Sequence, residues 1–105
     1  MEYGEELIQQ VWEKARAVQG FDLAHWRKDE CGAWICREHY GNENSEFGWK
    51  IVKVRPGPDS LENLEAMHWE NDYNIVDHRP KCRVTEDRTG LKPWEQVTEP
   101  RNTRL

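Results

Sequence analysis

Histidine and cysteine side chains are the residues of this chain that could bind a transition metal. They are scattered through the sequence, as Cys31, Cys36, Cys82, His25, His39, His68 and His78. The Cys31–Cys36 spacing is wider than the C-x2-C pair of a usual zinc knuckle, and no second close pair of ligands follows. A structural zinc ion would need His39 and Cys82 to converge on the first pair. The pattern therefore favours Cys31 and Cys36 as small buried apolar residues over metal ligands.

The number of cysteines also indicates in which cellular compartment the protein is expected. Three is an odd number, and the N-terminal segment MEYGEELIQQ is acidic and has no apolar stretch, so it does not resemble a signal peptide. We therefore expect no disulfide framework and a cytoplasmic location. No apolar run is long enough to cross a membrane, so we expect no membrane association.

Composition and charge indicate one small folded domain with an acidic body. Charged residues make up 33% of the 105 positions, but six tryptophans argue against disorder. Residues 1–78 contain 8 basic and 16 acidic side chains, whereas residues 79–105 contain 7 and 4. An acidic body is a poor surface for nucleic acid, and the basic end is most simply a solvated segment.

The hydrophobic pattern predicts a helix near residues 5–19 and a strand near 49–54. The helix has one apolar stripe, and the strand is β-branched between Gly48 and Pro56. Residues 61–69 fit a helical turn or a strand, and a second helix near 70–77 is weakly marked. Residues 85–105 show no period and are expected to form an irregular tail. The helical stripe consists of Leu7, Ile8, Val11, Trp12, Ala15 and Val18.

A more specific signal is an ordered series of short motifs. The pieces are Trp26-Arg27-Lys28-Asp29, Gly32-Ala33-Trp34-Ile35, Tyr40-Gly41-Asn42, Ser45-Glu46-Phe47-Gly48-Trp49-Lys50-Ile51, Asn63-Leu64 and His68-Trp69-Glu70-Asn71. Each piece alone is common, but their order and loop lengths resemble a bacterial subfamily of HNH endonucleases. The resemblance covers about residues 11–77.

The resemblance implies an α+β fold built around a ββα-metal unit. In this unit two antiparallel strands, here near 49–54 and 64–68, precede a helix, here near 70–77. The HNH-like domain would span residues 1–84 and begin with an N-terminal helix. The tail would span residues 85–105. HNH enzymes use a histidine as general base, and an acid with a second His or Asn ligand to hold one divalent cation.

The resemblance also implies that the reactive positions are substituted. Where the family reads E-I-D-H-I, this chain reads Lys50-Ile51-Val52-Lys53-Val54. Val52 therefore replaces the metal-binding Asp, and Lys53 replaces the general-base His. Valine cannot bind a metal, and a lysine that is protonated near neutral pH is a poor base and repels a cation.

Other positions of the motif are kept or changed mildly. Asn63 and His68 are retained, and the paired asparagines of the family become Asn71 and Asp72. The following lysine of the family becomes Ile75. Asp72 alone would hold a divalent cation poorly. The resemblance thus implies a degenerate site with no catalytic residue and no cofactor.

Three functions are compatible with this pattern. The first is a catalytically degenerate HNH-like module that binds a protein or DNA partner; the acidic body favours protein. The resemblance would also suit a phage or mobile-element context. The second is an active metal-dependent endonuclease in which Lys53, Asp72, His68 or His78 substitutes for the lost groups. The third is a purely structural or phage-encoded accessory domain without a nucleic-acid role. The tryptophans could stack on bases, but core packing is the simpler interpretation.

Overall fold

The computed structural model describes residues 3–85 and contains, within them, one α-helix and three two-stranded antiparallel sheets. The prediction of an α+β class is confirmed. Two short 3-10 turns lie at Arg37–His39 and Leu61–Asn63. The helix and strands are α1 (Glu5–Trp12), β1 (Trp26–Lys28), β2 (Trp34–Cys36), β3 (Trp49–Lys53), β4 (Leu64–His68), β5 (Asp72–Asn74) and β6 (Arg79–Lys81).

Helix α1 forms where the apolar stripe predicts it but ends at Trp12. Two glutamates in its first turn, at positions 5 and 6, favour the positive end of the helix dipole. After Trp12 the chain turns, and Arg16 exchanges two backbone hydrogen bonds with Lys28, at 2.8 and 3.0 Å. These bonds extend the pairing of β1, so the predicted continuation of the helix to residue 19 is wrong.

Strands β3 and β4 form the central hairpin, in register from Trp49 opposite His68 to Lys53 opposite Leu64. Strand β3 was predicted from the β-branched run; residues 61–69 fitted a helical turn or a strand, and the resemblance placed a strand near 64–68, where β4 lies. One face of the hairpin packs against α1 in a core that contains the fully buried Trp12. The other face forms a second apolar cluster that consists of Cys31, Val52, Val54 and Met67. Each face of the hairpin is thus covered by a different part of the chain.

The helix expected near residues 70–77 is absent. The hairpin of β5 and β6 occupies this segment instead. The Asn74 side chain accepts hydrogen bonds from the backbone of Val76 and Asp77, at 2.9 and 3.2 Å, which closes a turn. His78 follows with a φ of 55°, in the left-handed region. The β3–β4 hairpin is therefore followed by a second hairpin rather than by the helix of a ββα-metal unit.

A disulfide joins Cys31 to Cys82, so the expectation of unpaired cysteines is wrong for these two. The bonded residues are 51 positions apart in sequence, and only the folded topology brings them together. Cys36 is free and buried. The bond removes the argument from cysteine content on which the cytoplasmic expectation depended. It also excludes a zinc site that uses Cys31 and Cys36 as thiolate ligands while the bond is present.

Thr85, which the sequence assigns to the tail, is fully buried and donates its hydroxyl hydrogen bond to the backbone carbonyl of Cys31. The rest of the predicted tail lies outside the described residues. Tryptophans 34 and 49 are buried as expected of core residues, whereas Trp26 and Trp69 are half-buried. Within residues 3–85, no helix is long and apolar enough to cross a membrane.

Candidate functional site

Val52 occupies the position that the resemblance assigns to a metal-binding carboxylate. Its side chain is 9% exposed and belongs to the second apolar cluster, together with Cys31, Val54 and Met67. Tyr73 of the second hairpin packs against this cluster, as does Cys82. This position is therefore an apolar contact that lies beneath the β5–β6 hairpin and the disulfide.

Lys53 points to the opposite face of β3, as alternation along a strand requires. Its ammonium group forms an ion pair with the Asp59 carboxylate at 2.7 Å and donates to the Gly57 carbonyl at 2.8 Å. A protonated lysine has donors and no acceptor. In this arrangement Lys53 holds the loop between β3 and β4 and cannot take a proton from water.

Asn63 braces the same loop, which the resemblance also implies for this residue. Its side-chain amide donates to the Pro58 carbonyl at 2.9 Å and lies 3.4 Å from the Ser60 hydroxyl. Its backbone carbonyl accepts from the Val54 amide at 2.8 Å. The retained asparagine is thus a structural residue of the loop.

His68 is fully buried at the other end of the hairpin. The Glu70 backbone N–H lies 3.1 Å from Nδ1, which must accept, so Nε2 carries the proton and donates to the Glu46 carbonyl at 2.8 Å. Both ring nitrogens of a neutral imidazole are therefore engaged with backbone. Such a histidine is neither an accessible base nor an open metal ligand.

Asn71 uses its whole side chain to tie distant segments together. It is fully buried, and its Nδ2 donates to Asp29 at 3.0 Å and to the Val84 carbonyl at 2.9 Å. Its Oδ1 accepts from the backbone amides of Arg83 and Val84, at 2.7 and 2.8 Å. Asn71 therefore positions the segment that follows β6.

Asp29 is the partner of Asn71 and was not singled out by the sequence. It is 1% exposed, and besides the Asn71 amide it accepts from the backbone N–H groups of Cys31, Ala33 and His68, each at 2.9 Å. Burial raises the pKa of this carboxyl, and the four donors offset part of that rise. Asp29 is the last residue of the motif Trp26-Arg27-Lys28-Asp29, and its place in that motif is the sequence signal that could have identified it.

The groups proposed as substitutes in an active site lie apart. His68 pairs across the hairpin with Trp49, which is four residues from Lys53 along β3, or roughly 13 Å at the rise of a strand. Asp72 is exposed and accepts from the neighbouring Tyr73 amide, and His78 is exposed in the β5–β6 turn. Within residues 3–85, no group of three or more His, Cys, Asp or Glu side chains could hold a metal ion.

A second polar cluster joins Cys36, Glu38 and His25. The Cys36 thiol donates to Glu38 at 3.3 Å, and the other oxygen of that carboxylate lies 2.7 Å from Nδ1 of His25. Burial raises the pKa of Cys36, and Glu38 adds to the rise. The thiol therefore stays protonated near neutral pH and is not poised for nucleophilic attack.

A third polar group contains two neighbouring carboxylates, Glu30 and Glu65. They line a cavity of about 200 Å³ beside Lys14 and Arg16. Burial raises the pKa of Glu30, and the Glu65 charge raises it further. This pair places like charges together in the fold, which lowers the stability of the folded state at neutral pH.

A cleft of about 490 Å³, lined by side chains of both charges, lies between the β3–β4 and β5–β6 hairpins. Trp69 lines it; its indole N–H donates to the Ser45 carbonyl at 2.9 Å, and its ring stacks on His68. Three cationic side chains line the same cleft. We name this surface the cationic cleft, and define it by its lining residues Lys50, Trp69, Glu70, Asn71, Asp72, Lys81 and Arg83.

The comparisons with known proteins add no relative. A scan against models of known protein families finds no match, and searches of curated proteins and of solved structures find none either.

Proposed function

We propose that this chain is a catalytically inactive, HNH-like module that acts by binding a partner. The observation that carries the proposal is the state of the two reactive positions. Val52 is an apolar contact beneath the second hairpin, and Lys53 is engaged with Asp59 and the Gly57 carbonyl. Neither side chain can activate water or hold a cation.

The retained motif residues support the same proposal. Asn63 braces a loop, His68 bonds to backbone through both nitrogens, and Asn71 anchors the segment after β6. Each therefore has a structural task that is independent of catalysis. A scaffold kept in this way while the reactive groups are replaced is expected of a module that has exchanged cleavage for binding.

The segment after the β3–β4 hairpin also supports an inactive module. In a ββα-metal unit the helix supplies a metal ligand that faces the hairpin. Here β5 and β6 follow, and Tyr73 packs against the apolar cluster that contains Val52. A cation placed near Val52 would meet apolar side chains instead of oxygen or nitrogen ligands, which is unfavourable for a divalent ion.

A protein is the favoured partner class. Residues 1–78 carry a net charge of −8, because they contain 8 basic and 16 acidic side chains. Such a body repels the phosphate backbone of nucleic acid at long range. DNA remains the other partner class implied by the resemblance, and an active nuclease with substituted groups remains the alternative function.

Metal titration tests the proposal. The full chain, labelled with ¹⁵N, would be titrated with Mg²⁺, Mn²⁺ and Zn²⁺ while amide resonances are followed by NMR. We expect no saturable shift at the amides of Lys53 and Asp72. Saturable shifts at these positions, lost in an Asp72→Asn variant and retained in a matched Asp77→Asn variant, would contradict the proposal and favour the active nuclease.

A further inference from the structure

We propose that the cationic cleft binds a short acidic segment of a partner protein. The inference rests on the proposed function, because it names the chemistry by which the partner is recognised. It goes beyond that function by assigning the binding to a surface that contains neither of the substituted positions Val52 and Lys53.

The fold fixes the backbone that carries the cations of the cleft. Lys50 lies on β3, opposite Met67, on the face that the β5–β6 hairpin covers. Lys81 ends β6, and Arg83 follows two residues later, with Cys82 between them bonded to Cys31. Lys81 and Arg83 are both exposed and line the same cleft, on either side of the disulfide-bonded Cys82.

Hydrogen bonds hold the backbone beneath these cations. The amide of Arg83 donates to Asn71 Oδ1 at 2.7 Å, and Asn71 is fully buried. Lys81 and Arg83 therefore project from a fixed backbone. Because the backbone here is already ordered, this segment loses less conformational entropy when a ligand binds, which favours recognition.

Charge in the cleft favours an anionic ligand. No ion pair within residues 3–85 involves Lys50, Lys81 or Arg83. Two carboxylates, Glu70 and Asp72, also line the cleft, so its formal charge is three positive and two negative. A ligand with carboxylates can contact the cations at the rim, provided that it avoids Asp72, which is exposed.

Trp69 supplies the apolar part of the site. The indole is half-buried, held at one edge by Ser45 and on one face by His68. A rigid aromatic side chain in the same cleft as an arginine is typical of binding hot spots, where tryptophan and arginine are enriched. It would receive an apolar or aromatic side chain of the ligand between that ligand's carboxylates.

The extent of the positive charge favours a short peptide over a nucleic acid. Outside the cleft the body of residues 1–78 is acidic, so a long polyanion would be repelled along most of its length. The carboxylates of a short peptide interact mainly with charges within a Debye length, roughly 8 Å at physiological salt, so the cations of the cleft are sufficient to attract them. The cavity of about 490 Å³ also matches a few residues of peptide.

The test uses the full chain and a fluorescein-labelled hexapeptide of glutamates with one central phenylalanine, followed by fluorescence anisotropy. We expect saturable binding that weakens several-fold between 50 and 300 mM NaCl. Lys81→Glu combined with Arg83→Glu should weaken binding at least tenfold, and Lys50→Gln should weaken it about threefold to fivefold, the size expected of one exposed ion pair.

Two controls locate the site. Arg79 is an exposed cation on β6 that does not line the cleft, so Arg79→Glu should change the affinity less than twofold. Asp72→Asn removes a carboxylate from the cleft and should tighten binding about twofold to fivefold. Circular dichroism of each variant would verify folding, and Lys50→Gln tests the site if the double charge reversal does not fold.

Three outcomes would overturn the inference: no saturable binding of the acidic peptide, an Arg79→Glu effect as large as that of the double reversal, or tighter binding of a single-stranded oligonucleotide at the same residues. The proposed function fails separately, through metal-dependent cleavage. If the chain binds the peptide but also cleaves DNA, only the proposed inactive function is contradicted. If the chain is inactive but does not bind the peptide, only the inference about the cationic cleft is contradicted.

Discussion

The Nδ2 atom of Asn71 donates a hydrogen bond to Oδ2 of Asp29 at 3.0 Å, across 42 residues of sequence. Both side chains are buried, and together they contact the loop after β1, the end of β4 and the segment after β6. This pair is a buried polar connection between the two hairpins and the N-terminal half. It explains why a residue at a reactive position of the resembled family can be kept without catalysis.

Replacement of Asp29 by alanine should strongly destabilise the fold. Four buried N–H donors would lose their acceptor, and each unsatisfied buried group costs about 1–3 kcal/mol, so a loss of about 3 kcal/mol or more is expected. Asn71→Ala should have a similar effect, and the double variant should lose less than the sum. Urea denaturation measures each value. An Asp29→Ala variant as stable as the exposed control Glu43→Ala would refute the assigned role.

Positions 52 and 53 should differ sharply in their tolerance of the family residues. Val52→Asp would place a carboxylate in an apolar cluster and should cost several kcal/mol, about 2–4 by analogy with other buried unpaired polar groups. Lys53→His removes a partly exposed ion pair and should cost about 1 kcal/mol or less. Thermal and urea unfolding of the two single variants would compare them. If Val52→Asp unfolded like the wild type, position 52 would be open to solvent, contrary to the structure.

Glu30 should make the wild type less stable as pH rises. Its pKa is raised in the folded state by burial and by Glu65, so the folded state binds this proton more tightly than the unfolded chain. The resulting stability is present below the ordinary glutamate pKa and is lost as pH rises through the higher folded value. Glu30→Gln should therefore be more stable than the wild type at pH 7, with a difference that shrinks toward pH 4.

Urea denaturation at pH 4, 5, 6 and 7 would measure this difference. Glu62→Gln provides the control, because Glu62 is exposed and acidic but does not line the cavity with Glu65. A pH-independent gain for Glu30→Gln, or an equal gain for Glu62→Gln, would show that the two carboxylates do not interact in the folded protein.

The disulfide should be a large contributor to stability. A bond that closes a loop over 51 residues contributes about 4 kcal/mol in the chain-entropy model. Dithiothreitol should therefore lower the urea midpoint of the wild type but leave a Cys31→Ala, Cys82→Ala variant unchanged. Thiol titration of the unfolded, unreduced chain should find one thiol, that of Cys36. Three titratable thiols in freshly purified, unreduced protein would contradict the bond.

Local signals were enough to predict β3, whereas β4 was expected only from the resemblance. The β-branched run between Gly48 and Pro56 marked β3, and Gly48 is required there because a Cβ atom would lie 1.8 Å from the Asn42 carbonyl oxygen. The apolar stripe likewise identified the buried face of α1. These features depend on residues that are close in sequence or on a steric demand at one position.

Non-local contacts account for the rest. The end of α1 depends on pairing between Arg16 and Lys28, and the disulfide joins residues 51 apart, so no periodicity near those positions reveals them. The second hairpin depends on the turn made by Asn74, which competes with a weak helical pattern. The resemblance drew attention to positions 52 and 53, but the burial of Val52, the ion pair of Lys53 and the cationic cleft required the fold.

Cleavage of plasmid DNA tests the central claim most directly. The wild-type chain would be incubated with supercoiled plasmid and Mg²⁺, Mn²⁺, Ni²⁺ or Zn²⁺, with and without EDTA. We expect no cleavage above background, because Val52 and Lys53 supply neither a metal ligand nor a base, and a general base alone contributes roughly 10²–10⁴-fold. Chelator-sensitive cleavage that is abolished by Lys53→Ala but not by the matched Lys14→Ala would contradict the account.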